Sequence, residues 1–86
     1  MLAKTTVQKA SLAEQLILAQ RHVELGRRIV ERQNEIIAQK RTAHMSTRSS
    51  EELLSVFLAS QKIFEDDLAS LIKTNAGRRL GRVYVA

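Results

Sequence analysis

Apolar residues in the first half of the chain recur at alternating intervals of three and four residues. This spacing places them on one side of an α-helix, as in a coiled-coil seam. The row consists of Leu16, Ala19, Val23, Gly26, Val30, Gln33 and Ile37. A second row runs beside it, with Leu18, His22, Leu25, Ile29, Arg32 and Ile36. Because the two rows together cover roughly 200° of the helix, they predict contact with more than one neighbouring helix.

The second half of the chain repeats this pattern at Leu54, Phe57, Gln61, Phe64, Leu68 and Leu71. Ser49 and Glu52 have the spacing of a capping box, which predicts the start of this helix. Its end is expected soon after Lys73, because Asn75 or Gly77 suits a left-handed C-cap.

A polar segment without apolar periodicity separates the two halves. The sequence therefore predicts an all-α, antiparallel helical hairpin that forms a single domain over residues 1–86. We expect a first helix at about 6–41, a loop at 42–49, a second helix at about 50–73 and a basic tail at 74–86.

The predicted first helix is longer than the second. If Ile37 faces Leu54, then Leu12 and Leu16 extend about two turns beyond the end of the second helix and have no partner within the hairpin. Either the tail folds back over them or a second chain covers them. Two hairpins that pack their broad apolar faces together would form a dimeric four-helix bundle.

Three positions of the two seams are unusual for an apolar row. Gly26 costs roughly 1 kcal/mol of helix propensity relative to alanine, so we expect it to allow the close approach of a partner helix or of a side chain such as Phe64. Gln33 and Gln61 are polar, and such residues commonly fix the register of a coiled coil. We favour this role over ligand binding.

The composition limits the class of protein. The chain has 86 residues, no cysteine, no proline and two histidines. Disulfides and thiolate metal sites are therefore excluded, which leaves association as the natural reinforcement of so small a domain. No apolar run is long enough to span a membrane, and no secretory signal is recognisable. We expect a cytoplasmic protein.

The net charge of +5 is distributed unevenly. Residues 1–49 carry nine basic and four acidic side chains, residues 50–73 carry two and five, and the tail carries three arginines. This asymmetry suits two helices of opposite charge, and it also permits an anionic partner. Nucleic acid is possible, although aromatic residues that would stack on bases are nearly missing. The candidate anion-binding residues are Arg27, Arg28, Arg78, Arg79 and Arg82.

No pattern in the sequence predicts catalysis, a cofactor or a metal. His22 lacks the companion ligands of a metal site, and we interpret it as a half-buried packing residue. The run Glu65-Asp66-Asp67 cannot chelate one ion, because neighbouring helical residues point about 100° apart. Only Asp67 lies beside the apolar stripe, where pairing with an arginine or histidine of the first helix is expected. Neither a small-molecule substrate nor an enzymatic activity is expected.

Residues 15–72 resemble a family of small bacterial helical-hairpin proteins of unknown function, found in soil α-proteobacteria. The resemblance rests on His22-Val23-x-x-Gly26-Arg27-Arg28-Ile29-Val30, on Gln33, and on the second segment EELLSVFLASQKIFEDDLASLI after a polar loop. It implies the hairpin fold and no particular activity.

The sequence thus favours a non-catalytic helical interaction module that self-associates, most simply as a homodimer. A small basic nucleic-acid-associated regulator is the alternative, and a helix of another protein could also complete the bundle. The expected interface consists of Leu12, Leu16, Ala19, Val23, Gly26, Val30, Gln33, Ile37, Leu54, Phe57, Gln61, Phe64, Leu68 and Leu71.

Overall fold

Two α-helices that pack against each other form the hairpin in the computed structural model. The structure describes the backbone of residues 11–85 and the side chains of residues 11–77. Helix α1 spans Leu12–Thr42 and helix α2 spans Arg48–Val85, and the described residues contain no β-strand. The predicted all-α helical hairpin is confirmed.

Helix α1 begins with a capping box. The backbone N–H of Glu14 donates to the Ser11 hydroxyl at 3.1 Å, and the Ser11 N–H donates to the Glu14 carboxylate at 2.9 Å. These two bonds satisfy donors that a helix start leaves without partners. The sequence predicts a start near residue 6, whereas the capping box of Ser11 and Glu14 sets the start of the helix at residue 12.

A Schellman motif ends α1. The N–H of His44 donates to the Arg41 carbonyl at 3.0 Å, and the N–H of Met45 donates to the Lys40 carbonyl at 2.8 Å. His44 has a φ of 57°, which is the left-handed conformation that glycine usually supplies at this position. Histidine is among the residues that tolerate it better than most. This motif reverses the chain within five residues.

Helix α2 begins two residues earlier than predicted. Its first backbone hydrogen bond runs from the Glu51 N–H to the Thr47 carbonyl at 2.8 Å, and the Thr47 hydroxyl donates to the Glu51 carboxylate at 2.7 Å. The predicted capping pair of Ser49 and Glu52 lies inside the helix instead.

The end of α2 also differs from the prediction, because the helix continues through Asn75 and Gly77 to Val85. No residue of the segment requires a positive φ, so the potential C-caps do not act as stops. Ile37 also does not face Leu54, because the contacts of His22 with Phe64 and of Gln33 with Ser50 place it near residues 46–49. This register brings α2 alongside the start of α1, and Leu12 and Leu16 are half-buried. They are therefore not the uncovered pair that the shorter helix implied.

The seam between the helices is thin. Ala19, Val23 and Ile37 are its buried apolar residues, and no described side chain is less than 2% exposed. Polar Gln33, Ser50 and Gln61 are buried as well. The described residues form two helices without a third layer, so within residues 11–77 the seam is the core.

Candidate interaction surface

Side chains of α2 fill the space beside Gly26. A Cβ atom at this position would overlap Oε1 of Gln61, and it would also lie 2.9 Å from the Gln61 Cδ and 3.3 Å from the Phe64 Cδ2. The Gln61 amide crosses to α1 through this gap and donates to the Val23 carbonyl at 2.9 Å. The absence of a side chain at Gly26 therefore makes room for a polar link between the helices.

A second polar cluster joins the helices near the loop. The Gln33 amide donates to the Ser50 carbonyl at 2.9 Å, and the Lys40 ammonium donates to the Ser50 hydroxyl at 2.6 Å. Both seam glutamines thus form a hydrogen bond to the backbone of the opposite helix. A shift of one helix along the other would break both bonds, so they specify the register.

Two side-chain contacts distinguish the two faces of the hairpin. The rings of His22 and Phe64 lie 5.3 Å apart on one side of the seam. The Arg41 guanidinium and the Glu51 carboxylate meet at 3.0 Å on the other. Since helical residues advance by about 100°, each remaining side chain can be assigned to the His22 side or to the Arg41 side.

The His22 side carries large apolar side chains that the hairpin leaves exposed, and we call it the apolar face. It consists of Leu18, Leu25, Ile29, Leu53, Val56 and Ile63, which are 38–66% exposed. The Arg41 side, which we call the opposite face, carries Ile17, Leu58 and Ile72 among mainly polar residues. The apolar surface that the hairpin does not cover is therefore concentrated on one face.

Most of the residues predicted as an interface lie in the seam within the chain. Ala19, Val23, Gly26, Gln33, Ile37 and Gln61 are buried, and Leu12, Leu16, Val30, Leu54, Phe57, Phe64, Leu68 and Leu71 are half-buried. The six residues of the apolar face were not among the predicted interface residues. Leu18, Leu25 and Ile29 belong to the second apolar row of α1, and Leu53, Val56 and Ile63 flank the seam row of α2 on the same side.

The candidate anion-binding arginines are separated in the structure. Arg27 and Arg28 are exposed and line a shallow depression together with the carboxylates of Glu24 and Glu31. These carboxylates would oppose an anion at the same place. Arg78, Arg79 and Arg82 follow on α2, and their side chains lie outside the described residues.

Glu24 with Arg28 and Arg27 with Glu31 have the i,i+4 spacing of helical ion pairs, but neither pair forms a salt bridge in the structure. Arg32 pairs with Glu35 and Lys62 with Asp66, each at 3.4 Å. All four of these side chains are largely exposed, so each pair contributes little to stability.

The Glu65-Asp66-Asp67 run does not provide a buried carboxylate. Asp67 is exposed and pairs with no described arginine or histidine, contrary to expectation. Glu65 accepts a hydrogen bond from the Gln61 amide at 3.2 Å. No group of three potential metal ligands occurs among the described residues, and none of their helices is apolar enough over a sufficient length to cross a membrane.

One carboxyl group at the loop has a perturbed pKa. Hydrogen bonds from the Thr47 hydroxyl and from Arg41 hold the pKa of Glu51 below its ordinary value. The Glu51 side chain is about half exposed, so this is a surface interaction that links the end of α1 to the start of α2.

No protein-family model matches the chain, and neither a curated protein nor a solved structure shows significant similarity to it. The resemblance to bacterial helical-hairpin proteins therefore stays a prediction, and a functional proposal depends on the hairpin's own surface.

Proposed function

We propose that this protein is a non-catalytic helical interaction module that self-associates into a dimeric four-helix bundle. The observation that carries the proposal is the exposure of large apolar side chains. Ten such side chains of the described residues are 38–66% exposed, whereas the buried apolar residues are only Ala19, Val23 and Ile37. Of the large apolar side chains, the hairpin fully buries only Val23 and Ile37 and leaves these ten substantially exposed to water.

The energetics favour covering this surface. Full burial of a large aliphatic side chain contributes about 1.5–3 kcal/mol, so covering the exposed half of each contributes on the order of 1 kcal/mol. Six such side chains on one face, counted twice in a symmetric dimer, give on the order of 10 kcal/mol. This amount is comparable with the entropy that association costs.

Concentration-dependent unfolding tests the proposal. Thermal melts followed by circular dichroism would be recorded at total chain concentrations from about 1 to 100 μM. A dimer that unfolds to separate chains has a midpoint temperature that rises with concentration, and this rise is the expected result. A cooperative melt with the same midpoint at every concentration would refute self-association.

A binding titration on the same protein distinguishes self-association from the alternative of nucleic-acid binding. Titration with duplex DNA and with RNA at two salt concentrations would reveal contacts with phosphates through a steep dependence on salt. We expect no salt-sensitive binding by residues of α1, because Glu24 and Glu31 share the surface of Arg27 and Arg28. Tight binding that weakens strongly with salt would instead favour the regulator.

A further inference from the structure

We infer that the occupant of the apolar face is a second copy of this chain, oriented with both loops at the same end of the bundle. This inference rests on the proposed self-association and adds the face and the direction of packing. Charge complementarity across the apolar face supports it.

The two helices supply opposite charges to the apolar face. At about 100° per residue, Arg21 and Arg32 lie at the outer edge of the face on α1 and Glu52 lies at its outer edge on α2, whereas Asp67 lies within the face, next to the angle of Val56. All four side chains are exposed. Glu35, which pairs with Arg32, is the one partner they have among the described residues. The α1 edge thus carries Arg21 and Arg32, with Glu14 at its N-terminal end, and the α2 side of the face carries Glu52 and Asp67.

The contacts across the seam give the relative heights of these residues. His22 lies beside Phe64, and the Gln33 amide reaches Ser50. Each step forward along α1 thus corresponds to about one step back along α2. From its neighbour Gln33, Arg32 lies at the height of residue 51, next to Glu52. From its neighbour His22, Arg21 lies at the height of residue 65, two residues from Asp67.

Two symmetric ways of stacking the apolar faces must be distinguished. With a twofold axis parallel to the helices, α1 lies over α2 of the partner subunit and the heights are preserved. Arg32 then lies near Glu52 of the partner subunit, and Arg21 lies near Asp67 of the partner subunit. Each pair occurs twice, and all four are attractive.

The other arrangement has its axis perpendicular to the helices and places α1 over α1. If the faces are centred at Gly26, Arg21 lies opposite Arg32 of the partner subunit. By the same rotation, Glu52 lies opposite Asp67 of the partner subunit. Like charges would meet in both pairs, which disfavours this orientation. The distribution of charge therefore selects the arrangement with both loops at one end.

Distance measurement between spin labels tests the orientation. The chain has no cysteine, so Met45→Cys, at an exposed loop residue, would give one labelled site per chain. Loops at the same end predict a label separation within about 30 Å, which is the width of a helix bundle. Loops at opposite ends predict about 60 Å, from the rise of 1.5 Å per residue.

Charge reversal provides an independent measurement on the same dimer. Arg32→Glu should weaken dimerisation about tenfold, because each substitution affects two symmetric pairs. Adding Glu52→Arg should restore most of the loss. Arg27→Glu is the matched control: it reverses an exposed arginine of α1 on the opposite face, and we expect less than about a twofold change.

The outcomes separate the two claims. A short label distance with rescue by the double reversal supports the inference. A dimer with a distance near 60 Å, or without rescue, overturns the orientation and leaves self-association standing. A folded monomer at all concentrations overturns both claims.

Discussion

The side chain of Gln61 occupies the space that a Cβ atom of Gly26 would need. From this position its amide donates to the Val23 carbonyl at 2.9 Å, while its own Oε1 is buried and has no hydrogen-bond partner among the described residues. A buried acceptor without a hydrogen bond is unfavourable. The space beside Gly26 therefore holds a side chain that links the helices through its N–H group but leaves its oxygen without a partner.

Gly26→Ala is expected to destabilise the hairpin by about 1–3 kcal/mol, although alanine is the better helix former, because the methyl group must displace Gln61 or separate the helices. Chemical unfolding followed by circular dichroism measures the change. Gly77→Ala is the matched control. A Cβ there meets nothing within 4 Å, so helix propensity should stabilise α2 by up to about 1 kcal/mol. If both substitutions stabilise the protein, the close packing at Gly26 is wrong.

The double variant Gly26→Ala with Gln61→Ala should recover part of the lost stability. Shortening Gln61 removes the group that the new methyl would overlap, and it also removes the orphaned oxygen. A double-mutant cycle on the free energy of unfolding would then give a non-additive interaction of about 1 kcal/mol or more. Additive effects would show that the two positions do not meet.

His44→Gly is expected to stabilise the hairpin by about 0.5–1 kcal/mol. Glycine adopts the positive φ of 57° without the steric cost that an L side chain carries there. Ala43→Gly provides the comparison: Ala43 has a φ of −86°, so glycine adds only flexibility to the unfolded chain and should destabilise the protein. If both substitutions lowered the free energy of unfolding by the same amount, the Schellman motif would be wrong.

The loss of folding stability at acidic pH should depend in part on Glu51. Its pKa in the folded protein is lowered by Thr47 and Arg41, so the folded state favours the ionised form. The resulting stabilisation is present above the ordinary glutamate pKa and is lost as the pH falls through the lowered value. Glu51→Gln should flatten this part of the profile, as measured by unfolding midpoints at successive pH values. Glu24→Gln, at an exposed residue without an ion pair among the described residues, should leave the slope unchanged.

Periodicity and composition were sufficient to predict two packed helices and the residues of the seam. Alternating spacings of three and four locate Val23, Gly26, Gln33 and Ile37 on one stripe, and these residues are buried. Helix ends were harder to predict, because several residues near each end could act as a cap. Ser49 and Glu52 have the right spacing, yet Thr47 precedes the first residue of α2.

Two features of the structure do not follow from the sequence pattern. The pattern indicated that something approaches Gly26, but only the structure places the Gln61 amide there in addition to Phe64. The division of the surface into an apolar and an opposite face also depends on which sides of α1 and α2 turn the same way. The contact between His22 and Phe64 determines this, and no local sequence pattern encodes it.

Our central proposal is that a second chain covers the apolar face. Sedimentation equilibrium at micromolar concentration tests this with the unmodified protein and two variants. We expect a mass near twice 9.7 kDa for the unmodified chain, a shift towards the monomer for Leu25→Gln on the apolar face, and little change for Leu58→Gln on the opposite face. A folded monomer of 9.7 kDa throughout, or equal effects of the two substitutions, would contradict the account.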